Sequence, residues 1–158
     1  MLCPLAGYKI DENGARVVAG FVVLATVSAW IASQPVAGLI LLFLATDFGV
    51  RAFSRPRWSP LGRLASWFLR RVGVAPRWVD AGPKRFAARI GLGFAVALLG
   101  LSVFGAQGVY VAVSVVLGFC ALLESALGFC VGCWFYTGWY TLVRSVSVRL
   151  AAGSRGGV

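Results

Sequence analysis

The hexapeptide GFCVGC, residues 128 to 133, places two thiols three positions apart inside a long apolar stretch. A CxxC pair can close a disulfide, receive a persulfide sulfur or bind a soft metal ion. The reactive species is the thiolate, which requires positive charge or hydrogen-bond donors close by. Free cysteine is also a small apolar residue that packs well in a core. Cys130 and Cys133 therefore have a packing reading beside the reactive one. The chain holds four cysteines and no histidine, which excludes His-based triads, His-ligated haem and His-containing zinc sites. There is no glycine loop followed by Lys-Ser/Thr, and five acids in total leave little room for two-carboxylate chemistry. If this chain catalyses a reaction, sulfur is the agent.

Two acids lie in apolar surroundings, where an Asp at the centre of a membrane span costs roughly 2.5 to 3.5 kcal/mol. Asp47 has Arg51 four residues on, the spacing of an intrahelical ion pair, and reads as structural. Glu124 has no such partner on its own segment. Arg16 or Arg89 could reach it, either as a packing ion pair or to tune a proton carrier or a base beside a thiol. Cys120 lies one turn from Glu124 on the same face. Cys120, Cys130 and Cys133 are expected to follow one continuous helix, and Cys3-Pro4 to be brought to the same end by a short tail. Three thiols and a carboxylate would also satisfy a tetrahedral metal ion; which metal, if any, the sequence leaves unknown, and it implies no cofactor.

These groups must be positioned by membrane helices. Hydrophobic residues make up 59% of the 158 residues and charged residues 13%, too few to cover a soluble surface. The expected fold is all-α integral membrane, a single domain over residues 1–158. Four spans are read at about 15–33, 35–50, 86–105 and 109–127. Counting ~1.5 Å per residue from the outer turns puts Asp47 ~18 Å and Glu124 ~24 Å deep. The breakers Ser33-Gln34-Pro35 and Gly105-Ala106-Gln107-Gly108 are uncharged, so the spans pair as two antiparallel hairpins.

The net charge of +10 is concentrated between them. From Arg51 to Arg89 there are ten Lys/Arg and one acid, Asp80. A basic loop between apolar runs is explained by the positive-inside rule, not by nucleic-acid binding. Residues 51–85 should then be a cytoplasmic loop, with both termini on that side of a bacterial inner membrane. The first residues, with Asp11 and Glu12 and no basic region before an apolar run, do not read as a secretory signal. Within the loop, SPLGRLASWFLRRVG sets Leu61, Leu64, Ala65, Phe68 and Val72 on one helical face and Arg63, Ser66 and Arg70 on the other. Such a helix lies on an anionic lipid surface, with Trp58, Trp67 and Trp78 as anchors, or packs on the bundle's inner end. Residues 134–150, rich in Trp and Tyr, read as an interfacial tail; a fifth crossing is the alternative. ARVVAGFVVLA from Ala15 and ARIGLGFAVAL from Ala88 suggest a parallel internal repeat.

Cys3-Pro4, IDENGAR from Ile10, DFGVRAF from Asp47, GPKRFAARIG from Gly82 and LESALGFCVGC from Leu123 together resemble a bacterial membrane family, domain of unknown function 4395. The resemblance implies pattern positions at Cys3, Asp11, Asn13, Arg16, Asp47, Arg51, Lys84, Arg85, Phe86, Arg89, Glu124, Cys130 and Cys133. Cys120 falls outside that pattern. The family's association with thioredoxin-like and rhodanese-like proteins implies sulfur or thiol handling with such a partner.

Three functions are therefore weighed. The first is a cytoplasmic-facing thiol site in which Cys130 and Cys133 relay electrons or sulfane sulfur, Cys3 resolves and Glu124 manages a proton. The second is passage of a small sulfur species or a soft metal ion past Cys120, Glu124, Cys130 and Cys133. The third is a non-catalytic assembly subunit, self-associating through small residues such as Gly128 and Gly132 at GxxxG spacing.

Overall fold

A computed structural model describes residues 8–54, 58–139 and 141–142. A short strand, β1 (Lys9–Asp11), leads into α1 (Glu12–Ile31), and α2 (Gln34–Phe53) returns antiparallel to it. Next come α3 (Pro60–Val72), a second strand β2 (Trp78–Asp80), and the hairpin of α4 (Ala81–Phe104) and α5 (Gln107–Leu127). A sixth helix, α6, begins at residue 131 and runs through 139. Helices α1, α2, α4 and α5 are each long and apolar enough to cross a membrane. The expectation of an all-α membrane protein with two hairpins is met.

The bundle is a ring. Helix α2 packs most closely on α4, and α1 on α5, with the two hairpins closing the other sides. The shared core is small and aliphatic: Val22, Leu41, Leu44, Ala95 and Leu98 are almost wholly inaccessible. Outward-facing Leu24, Leu39 and Val103 are 63%, 66% and 81% exposed, an apolar exterior suited to lipid. The turns after α1 and α4 carry no charge, whereas the basic residues of the described chain gather at the opposite, basic end.

That end differs from expectation in four ways. The spans extend further into it, α2 reaching Phe53 and α4 starting at Ala81, so the 51–85 loop is largely structured. The strands β1 and β2 pair antiparallel, Ile10 opposite Val79, a ribbon too short for periodicity to reveal. Each strand ends on an aspartate that caps the following helix. Asp11 accepts the Asn13 N–H and Asp80 the Gly82 N–H, satisfying donors that a helix start leaves open.

Third, the repeat has another register. Arg16 donates to the carbonyls of Ser125 and Ala126 at the end of α5. Arg85 donates to those of Ala52 and Phe53 at the end of α2. Counted from the capping aspartates, Arg16 therefore corresponds to Arg85, one helical turn before the expected Arg89. Each arginine satisfies terminal carbonyls of the other hairpin, where positive charge is favoured.

Fourth, the apolar face of α3 is divided. Leu61, Ala65 and Leu69 pack inward, while Leu64, Phe68 and Val72 remain exposed beside Trp67. Ser59 caps α3 by accepting the Gly62 N–H at 3.0 Å. Its hydroxyl donates at 2.5 Å to Asp47, which also accepts the Leu61 N–H and pairs with Arg51 at 2.7 Å. Asp47 is wholly buried, and its partners tie α3 to α2.

Candidate functional site

The two glycines of GFCVGC place the thiols. Gly128 ends α5 at φ +70°, a left-handed conformation that glycine adopts without steric cost. Its N–H closes back on the Glu124 carbonyl at 3.0 Å. The expected continuous helix is therefore broken between Cys120 and Cys130. At Gly132, a Cβ would lie 2.9 Å from the Cβ of Ala87, so only glycine lets α6 lie this close to α4.

Between these glycines, Cys130 becomes the N-cap of α6. Its carbonyl accepts the Trp134 N–H at 3.1 Å, the first bond of the new helix. Its sulfur accepts from both the thiol and the backbone N–H of Cys133. A sulfur thus occupies the capping position usually held by an oxygen acceptor, at the positive end of a helix dipole.

The two thiols consequently diverge. Cys130 is held below the ordinary thiol value, chiefly by the hydrogen bond from the Cys133 thiol; burial and Glu124 oppose this, and the Cys133 N–H and Lys84 assist it. Cys133 is pushed up, first because its proton is engaged on the Cys130 sulfur, then by burial and by the negative charge of Cys130. The proton shared by the pair therefore rests on Cys133, and Cys130 carries the greater thiolate character.

Glu124 pairs with Lys84 of α4, Nζ to Oε1 2.5 Å. The sequence pointed to Arg16 or Arg89 instead. Arg16 is engaged with the end of α5, and Arg89 stacks over the Phe53 ring at 5.7 Å. Apolarity alone starts α4 near Phe86 and leaves Lys84 in the basic loop, whereas the helix begins at Ala81. The capping Asp80 is the sequence signal that brings Lys84 into the helix.

A cavity of about 970 Å³ opens among α1, α3, α4, α5 and α6, and Cys130, Cys120, Lys84 and Glu124 line it. Cys130 is only 9% exposed, so small molecules within the cavity can meet it more readily than a folded partner can. Among the described residues no group of three or more His, Cys, Asp or Glu side chains could hold a metal ion. Cys3, the expected third thiol, lies outside the described residues, as does the tail beyond 142.

The family model "Domain of unknown function (DUF4395)" matches residues 10–141. The chain belongs to this family. No curated protein and no solved structure matches it. In this member of DUF4395 the match covers both capping aspartates, both arginine clamps, the Lys84–Glu124 pair and the two thiols at the start of α6.

Proposed function

We propose that this DUF4395 protein is a membrane thiol protein that accepts sulfane sulfur on Cys130, releases it as sulfide when Cys133 closes a disulfide, and takes up electrons at that disulfide. The observation that carries this reading is the capping position of Cys130, where a second thiol donates to it on the wall of a cavity. In sulfur transfer, the Cys130 thiolate attacks the outer sulfur of a persulfide R–S–SH. Cys130–S–SH forms and RS⁻ leaves. Cys133, deprotonated as it attacks, then displaces HS⁻ from that persulfide and leaves a Cys130–Cys133 disulfide. In electron transfer, the same disulfide is reduced by a dithiol partner, which attacks at the less buried Cys133 and is itself oxidised. Lys84 and Glu124 stand beside both sulfurs and exchange the protons that these steps release or consume.

A soluble thioredoxin-like or rhodanese-like protein, docking at the basic end, is the expected partner. The concentration of arginine there supports a cytoplasmic orientation in a bacterial inner membrane. Cytosolic thiols are kept reduced, so the pair would rest as dithiol. The exposed stripe of Leu64, Phe68 and Val72 supports contact of α3 with an anionic lipid surface. Trapping in native membranes tests the thiol reading. With Cys133→Ser, a mixed disulfide or persulfide should accumulate on Cys130; with Cys130→Ser, none should form on Cys133. Absence of any adduct in both variants under sulfur loading removes the reading.

A second reading, transport of a small sulfur species or soft metal ion, draws on Cys120, Glu124 and Cys130 sharing one cavity wall. Metal analysis of the purified protein, together with unchanged or lost uptake in a deletion strain, separates it from thiol exchange.

A further inference from the structure

The cavity holds far more space than a persulfide or sulfide ion needs. Its about 970 Å³ is close to the upper end for sites that enclose a whole small molecule. Its two ends differ in chemistry. At depth the walls are apolar, from Val18 and Val22 of α1, Phe94 of α4, and Val116 and Leu117 of α5. At the basic end they carry Lys9, Arg63 and Arg70, all exposed. The face of α3 that bears Arg63, Ser66 and Arg70 lines the cavity, while Leu64 and Phe68 of the same helix do not. Among the described residues, only two acids line the cavity. Glu124 is paired with Lys84, and the Asp11 carboxylate accepts the N–H groups of Asn13 and Arg77.

We infer that the cavity binds an anionic amphiphile, a phosphate or carboxylate head on a hydrocarbon body, with its head at Arg63 and Arg70 and its body alongside Cys130. Charge complementarity selects the head, since cationic side chains at the opening raise the local concentration of anions. Burial of hydrocarbon between α1, α4 and α5 selects the body at roughly 25 cal/mol per Å². A small inorganic anion would leave the apolar depth unfilled, and a neutral lipid would gain nothing from the positive charge at the opening. Occupancy would screen Cys130 from the cavity, making the amphiphile a gate of the thiol site. In that respect the inference rests on the proposed thiol function, with Cys130 also serving as its reporter.

The experiment is alkylation of Cys130 by N-ethylmaleimide in the full-length, detergent-purified protein, followed by peptide mass spectrometry. Four additives are compared: phosphatidylglycerol, phosphatidylcholine, dodecyl phosphate and inorganic phosphate. At about ten times its Kd an occupant leaves roughly one site in ten free, so alkylation should slow about tenfold. Phosphatidylglycerol and dodecyl phosphate should both give this protection, with the other two near the rate without additive. Protection by dodecyl phosphate alone supports the inference and assigns the source as a soluble amphiphile, not a membrane lipid. In Arg63→Gln/Arg70→Gln, whose substitutions are at exposed positions, protection should be lost while the unprotected rate is kept. Equal protection by phosphatidylcholine, protection by inorganic phosphate, undiminished protection in the double variant, or no protection by any additive each overturns the inference. The unprotected Cys130 rate and the trapping assay report on the thiol reading separately, so either reading can fail alone.

Discussion

The two hairpins end in matching constructions built with different atoms. After α2, Ser59 caps α3 by accepting the Gly62 N–H; after α5, Cys130 caps α6 by accepting the Cys133 N–H. In the clamp register, Ala52 corresponds to Ser125, so Asp47 matches Cys120 and Arg51 matches Glu124. The first half is closed around its acid, although Arg51 also reaches the cavity wall. Its acid is wholly buried, accepts from a hydroxyl and a backbone N–H, and pairs with an arginine on its own helix. The second half has the acid where the first has the arginine, pairs it across helices with Lys84, and turns thiols toward a cavity. Oxygen and full burial make an anchor, whereas sulfur and a cavity make a candidate site. One scaffold position serves both purposes because an N-cap needs only an acceptor, and serine and cysteine both provide one.

The sharpest way to break this comparison is to convert one half toward the other. Cys130→Ser should keep the cap and the fold but abolish thiol transfer entirely, read by the absence of any adduct on Cys133 with an unchanged thermal midpoint. If the midpoint falls as far as for a core variant, the capping role assigned to the sulfur is wrong.

The acids should separate next. Asp47→Ala leaves Arg51 buried beside an orphaned serine and should destabilise the protein by roughly 3 to 5 kcal/mol, the range for breaking a buried pair. Glu124→Gln, in a pair that remains 13% and 20% exposed, should unfold at nearly the wild-type temperature and show its effect in thiol chemistry. Thermal unfolding in detergent combined with Cys130 alkylation gives both readouts. Equal loss of stability in the two variants would erase the distinction between anchor and site.

The pH dependence sharpens the site half alone. Because Cys130 lies below the ordinary thiol value, its alkylation should persist as pH falls into the range where free cysteine slows. Cys133→Ala removes the S–H donor and should move that profile to higher pH. Lys84→Met, which removes a nearby positive charge, should move it the same way, and Glu124→Gln should move it to lower pH. Initial rates across a pH series decide this, and a Cys133→Ala profile that does not move contradicts the hydrogen-bonded pair.

Much of this architecture was legible in residue types. Hydropathy gave the four spans and the uncharged turns, and spacing gave the Asp47–Arg51 pair, because both properties are local. The junctions were not legible. The extended spans, the strand pair and the Lys84–Glu124 contact arise where α4 starts earlier than apolarity suggests, and their signal was the capping Asp80. The arginine clamps join residues more than 30 positions apart, which no local pattern encodes. The break at Gly128 was hidden because glycine followed by apolar residues also suits a continuing membrane helix; the four-residue spacing of Gly128 and Gly132 suggested a contact face. In the folded chain they act separately.

That separation carries the smallest and most specific prediction. Gly128→Ala places a side chain at φ +70°, costing about 1 kcal/mol, a penalty confined to the turn. Gly132→Ala sets a methyl against Ala87 and should cost about 1 to 3 kcal/mol, the range for overpacking a fitted contact. The strain should be relieved by a shift of α6 away from α4. Since α6 carries Cys133 and α4 carries Lys84, that shift should lengthen the contacts on the Cys130 sulfur and slow its alkylation near neutral pH. Gly128→Ala should alter stability with a smaller change in that rate. A double variant should then be additive in stability, because the turn and the helix contact involve different neighbours. If the two glycines were instead one self-association face, both alanines would shift the oligomer equilibrium together, and analytical ultracentrifugation of the single variants distinguishes the two.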